Sequence, residues 1–161
     1  MEAKLFNTNK VDYGDDYNDH LFEQYKLYIQ GIENISERRL QANNFFISIN
    51  TALISVLGLS FNLNFLNYFS FRLFASLVGF AICVIFWHLI RAYKQLNTGK
   101  FVVLHEIESK LPLCLYKYEW KVLEEGKNKK VYFPFSHIEL YIPWLLGIVY
   151  LVLSLIFLFS N

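Results

Sequence analysis

Between residues 44 and 66 the chain reads NFFISINTALISVLGLSFNLNFL, without a single charge. A run of that length is enough for a helix to cross a bilayer core, which takes about 20 mainly apolar residues, so 44–66 is predicted as a first transmembrane helix. Its polar residues are not scattered. Asn44, Ser48, Thr51, Ser55, Gly58 and Asn62 recur at spacings of three and four and share one helical stripe. Phe45, Phe46, Ile49, Leu53, Val56, Leu57 and Phe61 cover much of the remaining circumference. Hydrocarbon offers hydroxyls and carboxamides no partner, so the stripe is expected to face protein or water and to act as an assembly face. Three occupants suit it: a helix of the same chain, an identical subunit, or water in a lumen. Asn50 lies about 200° round the helix from Ser48 and requires a polar neighbour of its own.

The pattern before this span is amphipathic. Residues 1–17 are polar and acidic without helical period, a loosely docked tail. From Asn18 or Asp19, both suitable N-caps, Leu21, Tyr25, Tyr28, Ile32 and Ile35 recur at three and four, predicting an amphipathic helix over 18–43 that continues into the first span. Gly31 weakens it, and Ser36 is able to restart it. A second span is predicted at 73–93, with Ser76, Gly79 and Cys83 as another small-residue stripe. The short hairpin between the spans carries Tyr68, Phe69 and Phe71, suited to an interfacial aromatic belt. Residues 94–136 are charged. Within them, Lys100–Leu111 reads as a helix stopped by Pro112, with Glu106 and Lys110 spaced to pair, and Tyr116–Glu125 as a second helix with Gly126 as C-cap. A third span is predicted over 137–159, opened by the capping-box pattern Ser136, His137, Ile138, Glu139, with Pro143 near its start.

Composition agrees with a membrane protein: mean hydropathy is positive and aromatic residues make up 19% of the chain. The predicted fold class is therefore all-α, an integral membrane protein with three transmembrane helices and a small helical cytoplasmic layer. The first long apolar run follows more than forty mostly polar residues, so it is expected to stay in the mature chain rather than act as a signal peptide. Net charge is only +1 with no dense basic run, which argues against nucleic acid as a partner. Five basic residues precede the first span, nine lie from Arg91 to Lys130, and Arg72 alone sits in the hairpin. The positive-inside rule then places the N-terminus and the 94–136 segment in the cytoplasm and the C-terminus outside. Cys83 and Cys114 fall in unlike environments and are expected to be free thiols.

Candidate chemistry is sparse. His105, Glu106 and Glu108 lack the second histidine of a HExxH zinc site, and no phosphate-cradling glycine loop or nucleophile elbow is present. No cofactor, metal or catalytic set is expected. Glu139 is the acid nearest the membrane, and a helix cap at the interface, or else an ion pair with Arg38, Arg39 or Arg91, is the expected way to hold it there. Tyr116 and Trp120 are expected to present aromatic surface to a cytoplasmic protein partner.

The segments ISERRLQANNFFISINTAL, GKFVVLHEIESKLP, YEWKVLEEGK and YFPFSHIELYIPW resemble the small bacterial inner-membrane proteins of the RipA type, which are octameric. The resemblance covers roughly residues 25–150 and includes Arg38, Arg39, Asn44, Phe46, Asn50, Glu106, Glu108, Leu111, Pro112, Glu119, Trp120, Phe135, Glu139 and Pro143. It implies a homo-octamer in the inner membrane without catalytic activity, a scaffold or pore whose partners are its own copies and membrane lipid. A membrane-perturbing effector, as in phage defence or a toxic pore, and an interfacial enzyme built on His105, Glu106 and Glu139 are the alternative readings.

Overall fold

A computed structural model describes residues 4–60, 69–132 and 138–159. Its elements are α1 (Lys10–Tyr13), α2 (Tyr17–Leu59), α3 (Phe69–Glu108), α4 (Leu115–Val122), a 3₁₀ turn (Glu124–Gly126) and α5 (Ile142–Phe159). Among the described residues, α2, α3 and α5 are long and apolar enough to cross a membrane. The capping pattern at Ser136 and His137, the hairpin's Tyr68, and the stripe's last member, Asn62, lie outside the described residues.

Several element boundaries differ from those read in the sequence. The tail contains a helical turn, because the Asn9 side chain accepts the Asp12 N–H at 3.0 Å and caps α1. Gly14, at φ 99°, ends it. Next, α2 begins at Tyr17 and passes Gly31 and Ser36 without a break. The Ser36 hydroxyl is turned back onto the Ile32 carbonyl at 3.3 Å and so does not cap a new helix. The second span and the helix expected at 100–111 are one continuous element, α3. Residues 94–99 are polar apart from Leu96 and contain no proline, and the hydrogen-bond ladder does not depend on side-chain polarity; Gly99 alone costs only about 1 kcal/mol. Helix α3 stops at Glu108, not Leu111. The N–H groups of Ser109, Lys110 and Leu111 each reach only three residues back, a tightening that precedes Pro112. Lys110 lies over the Phe6 ring, 5.7 Å from its centroid, and forms no ion pair with Glu106 among the described residues. Helix α4 ends at Val122, short of Glu125, and Gly126 takes φ 70° after two left-handed glutamates, Glu124 and Glu125.

The chain divides into two compact units. The first comprises Met1–Glu37 and Gln95–Phe133. Its core is Tyr25, Ile32, Leu104 and Ile107, flanked by Leu21, Tyr28, Phe101, Leu111 and Tyr116, so the apolar stripe of early α2 meets the apolar stripe of late α3. Lys100 lies over the Tyr28 ring, its Nζ 4.7 Å from the centroid.

The second unit comprises Arg38–Lys94 and Pro134–Asn161. Its core is Leu57, Cys83, Tyr150 and Phe157, flanked by Leu53, Ile54, Ala75, Phe80, Leu146 and Leu153. Along α3, Ser76, Gly79, Cys83, Phe86 and Ile90 are buried; along α5 the buried positions are Pro143, Gly147, Tyr150, Ser154 and Phe157. Both series step by three and four, and they run antiparallel: Ser76 meets Ser154 at 2.8 Å, while Trp87 meets Trp144 at a centroid distance of 6.0 Å. Pro143 sits in the first turn of α5, where its missing N–H would have had no helical partner anyway.

Candidate functional site

Helix α2 has two polar faces in the second unit, and they have different fates. Asn43, Asn50, Leu57 and Ser60 are buried against the unit's other helices, whereas Asn44, Ser48, Thr51, Ser55 and Gly58 are exposed. At 100° per residue the two sets point about 140° apart. Of the three occupants open to the stripe, another helix of the same chain is therefore excluded among the described residues. Thr51 and Ser55 donate to the carbonyls of Ile47 and Thr51, both at 2.8 Å, so their hydroxyl protons are satisfied within the helix. Among the described residues Asn44 and Ser48 have no such bond. What the stripe offers is small size, two polar groups in need of partners, and a close approach at Gly58.

The inward face is a network. Asn50 Nδ2 donates to the Phe46 carbonyl at 2.7 Å, its Oδ1 accepts from the Cys83 thiol at 3.3 Å, and its backbone carbonyl accepts the Tyr150 hydroxyl at 3.3 Å. One asparagine thus ties three helices together, and this is the separate polar neighbourhood that its position demanded. At the end of α2, Arg72 Nε donates to Ser60 Oγ at 3.1 Å, its Nη2 donates to the Ser60 carbonyl, and its guanidinium lies 5.6 Å from the Phe157 ring. The lone basic residue of the hairpin region therefore satisfies a helix C-terminus.

Glu139 is 4% exposed, with Oε1 accepting from Asn43 Nδ2 at 3.1 Å and Oε2 3.8 Å from Arg39 Nε. The expected charge cluster is thus smaller than its four members. Arg38 is exposed, and Arg91 stacks on Trp87 with Cζ 5.4 Å from the ring. Neither pairs with Glu139 among the described residues; Asn43, which the sequence did not single out, takes their place. Its position seven residues before Asn50, on the same face, was the available signal.

In the first unit, the residue that organises the local structure is Glu108, 1% exposed. Oε1 accepts the Tyr25 hydroxyl at 3.1 Å and the Tyr116 N–H at 2.9 Å; Oε2 accepts the Lys117 N–H at 3.0 Å. Burial first, and then the bond to and the charge of Glu108, push the Tyr25 phenol up to about 12. A raised tyrosine pKa means that the folded chain holds its proton longer than the unfolded one. The corresponding stability, about 2–3 kcal/mol, is present below pH 10 and is lost as pH rises from about 10 towards 12. Alkaline unfolding followed by circular dichroism should show this step, and Tyr25→Phe should remove it.

Tyr116 is not the exposed docking residue that its position in the sequence suggested. Its N–H is held by Glu108 and its ring packs on Phe101 at 6.1 Å, so it is half-buried. Trp120 remains exposed, edge-on to Tyr132 at 6.4 Å. Of the proposed interfacial enzyme site, His105 is half-buried beside Phe101, Glu106 is exposed, and Glu139 belongs to the other unit. Among the described residues no group of three His, Cys, Asp or Glu side chains is placed to hold a metal. Cys83 is buried and Cys114 exposed, both free.

Three helices long and apolar enough to cross a membrane are the marks of a membrane protein. Residues 22–159 match the model of the Octameric membrane protein family (8xMP). The chain belongs to this family. The 8xMP match covers α3, α4 and α5 in full and all but the first residues of α2, so it takes in most of both units and leaves out α1. Membership carries a membrane setting and, by the family's name, assembly into an octamer. No curated protein and no solved structure matches the chain significantly.

Proposed function

We propose that this 8xMP protein is an octamer of the RipA type in the bacterial inner membrane, a non-catalytic scaffold or pore with a cytoplasmic docking layer. The observation that carries this reading is the outward stripe of α2. Asn44, Ser48, Thr51, Ser55 and Gly58 sit on the side away from the chain's own packing, and small residues let helices of neighbouring copies approach closely where bulky ones would hold them apart. The basic residues flanking the first two spans support a cytoplasmic side for the N-terminus and the 94–136 segment. On that side the first unit offers the exposed Trp120 and a cleft of about 370 Å³ bordered by Ile29, Glu33, Glu37 and Tyr116. An apolar floor with two carboxylates at its rim suits a basic amphipathic segment of a partner protein.

Replacing Ser48, Thr51 and Ser55 together with leucine should loosen each subunit contact by on the order of 1 kcal/mol, about fivefold in its association constant. Native mass spectrometry on detergent-solubilised protein should then show the octamer giving way to smaller species. An octamer of unchanged mass and stability in the triple variant would remove the stripe from the interface.

A further inference from the structure

The outer surface of α3 and α5 carries a second feature that assembly through α2 does not use. A groove of about 110 Å³ runs between the two helices, lined by Phe80, Val84, Trp87, His88, Pro143 and Trp144. On α3 its wall grades along one helical stripe from apolar to charged: Phe80 and Val84, then Trp87 and His88, then Arg91 one turn further. Arg91 is the first formally charged residue on α3 after Arg72, so this end of the groove marks the end of the apolar span. Two tryptophans in contact at 6.0 Å stand at the same level, where indole rings prefer the boundary between hydrocarbon and headgroups.

Donors at that level have nothing to bond. The Arg91 guanidinium lies over the Trp87 face with Cζ 5.4 Å from the ring, a contact that leaves its N–H edges free, and no acceptor meets them among the described residues. His88 is exposed and packs on the same indole at 4.8 Å, likewise without a hydrogen-bond partner there. We infer that this groove is a binding site for one anionic phospholipid, with an acyl chain along Phe80, Val84 and Trp144 and the phosphate on Arg91 and His88. The order of chemistry along the groove is the order within the lipid. A phosphodiester supplies the planar acceptor pair that a guanidinium edge fits, and a headgroup without an ammonium leaves Arg91 unopposed by a like charge. The inference rests on the membrane setting and not on the subunit count.

The test uses the full chain carrying Trp120→Phe, so that emission comes from Trp87 and Trp144, the other two of its three tryptophans. It is reconstituted into phosphatidylcholine vesicles containing a minority of chain-brominated phosphatidylglycerol or, separately, chain-brominated phosphatidylcholine. Brominated phosphatidylglycerol should bind about fivefold more tightly, as read from quenching, the contribution of about 1 kcal/mol from one arginine at an anionic surface. Arg91→Gln should bring the two lipids level while native mass spectrometry on the same preparation shows the assembly unchanged. Equal quenching by both lipids in the parent, or a preference that survives Arg91→Gln, overturns the site. Absence of quenching above the bulk level with the assembly intact would mean that a neighbouring copy covers the groove and overturns it as well. Inorganic phosphate should leave the quenching as it is; if it relieves the quenching, Arg91 takes a soluble anion and the lipid assignment falls.

Discussion

Replacing Glu108 with alanine should detach α4 from the rest of its unit and lower the stability of that unit by about 3–5 kcal/mol, since three hydrogen bonds to a buried carboxylate go at once. The carboxylate sits at the end of α3, yet it does the work of an N-cap for α4. The residue in the cap position, Cys114, makes no side-chain bond to the helix, and the N–H groups of Tyr116 and Lys117 in the first turn are satisfied by Glu108 alone. A negative charge there also complements the positive end of the helix. Removing it leaves those donors and the Tyr25 hydroxyl without partners, and only the donors of α4 can recover water cheaply, by fraying. Hydrogen exchange should therefore show lost protection at Tyr116 and Lys117 together with a lower melting temperature. Glu108→Gln, which keeps one acceptor but turns an NH₂ group towards N–H donors, should fall between the two. The octamer should persist in both variants if the stripe on α2 holds it. Unchanged protection of α4 in Glu108→Ala would show that packing of Tyr116 on Phe101 seats the helix instead.

The spans were legible in the sequence because lipid imposes a length and forbids charge, and both constraints appear in a one-dimensional pattern. The face of α2 that turns inward was not. Asn50 and the Ser48 stripe both announced polar requirements, but the choice between them is made on other helices, by Cys83 and by Tyr150 one hundred residues away. The continuity of the helix past residue 94 was hidden for a related reason: a change from apolar to charged residues signals a change of solvent, and α3 crosses that change without breaking its backbone bonds. Tyr116 and Glu108 illustrate the limit most clearly. An aromatic residue in a charged segment and an acid near a histidine look like surface and chemistry when read singly; together they are a helix cap and its seat, and only the turn at Pro112 brings them within 3 Å. For Glu139 the sequence left open a cap at the interface or an ion pair, and the spacing of Arg38, Arg39 and Arg91 could not say which residue it would meet. Helical phase at the junction of α2 with the span brings Arg39 to one carboxylate oxygen, and Asn43 one turn on donates to the other.

Gly79→Ala should destabilise the second unit by on the order of 2 kcal/mol, and Gly79→Val by more, because a side chain there overpacks a position that the fold uses for contact. A Cβ on Gly79 would lie 2.2, 2.3 and 2.6 Å from three ring atoms of Tyr150. That ring cannot swing aside cheaply: Tyr150 is fully buried, its hydroxyl is bonded to the Asn50 carbonyl, and Asn50 is in turn bonded to Phe46 and Cys83. The strain must then be relieved by parting α3 from α5, which also pulls on the Ser76 to Ser154 bond one turn away. Shortening the obstacle should rescue the variant. Tyr150→Leu is costly by itself, since it leaves a cavity and breaks the tie to α2, but combined with Gly79→Ala it should lose less than the sum of the two, with a coupling energy of about 1–2 kcal/mol. Thermal unfolding of the two single variants and the double variant in one detergent measures that cycle; strictly additive losses would mean that the ring and the glycine do not constrain each other. Gly58→Ala is the matched comparison, because among the described residues nothing lies within 4 Å of a Cβ at that position. Within a single chain it should be neutral or gain from alanine's higher helix propensity, so any loss it causes has to come from a neighbouring copy. Two glycines of similar appearance in the sequence thus test different contacts, Gly79 the packing inside a subunit and Gly58 the proposed packing between subunits.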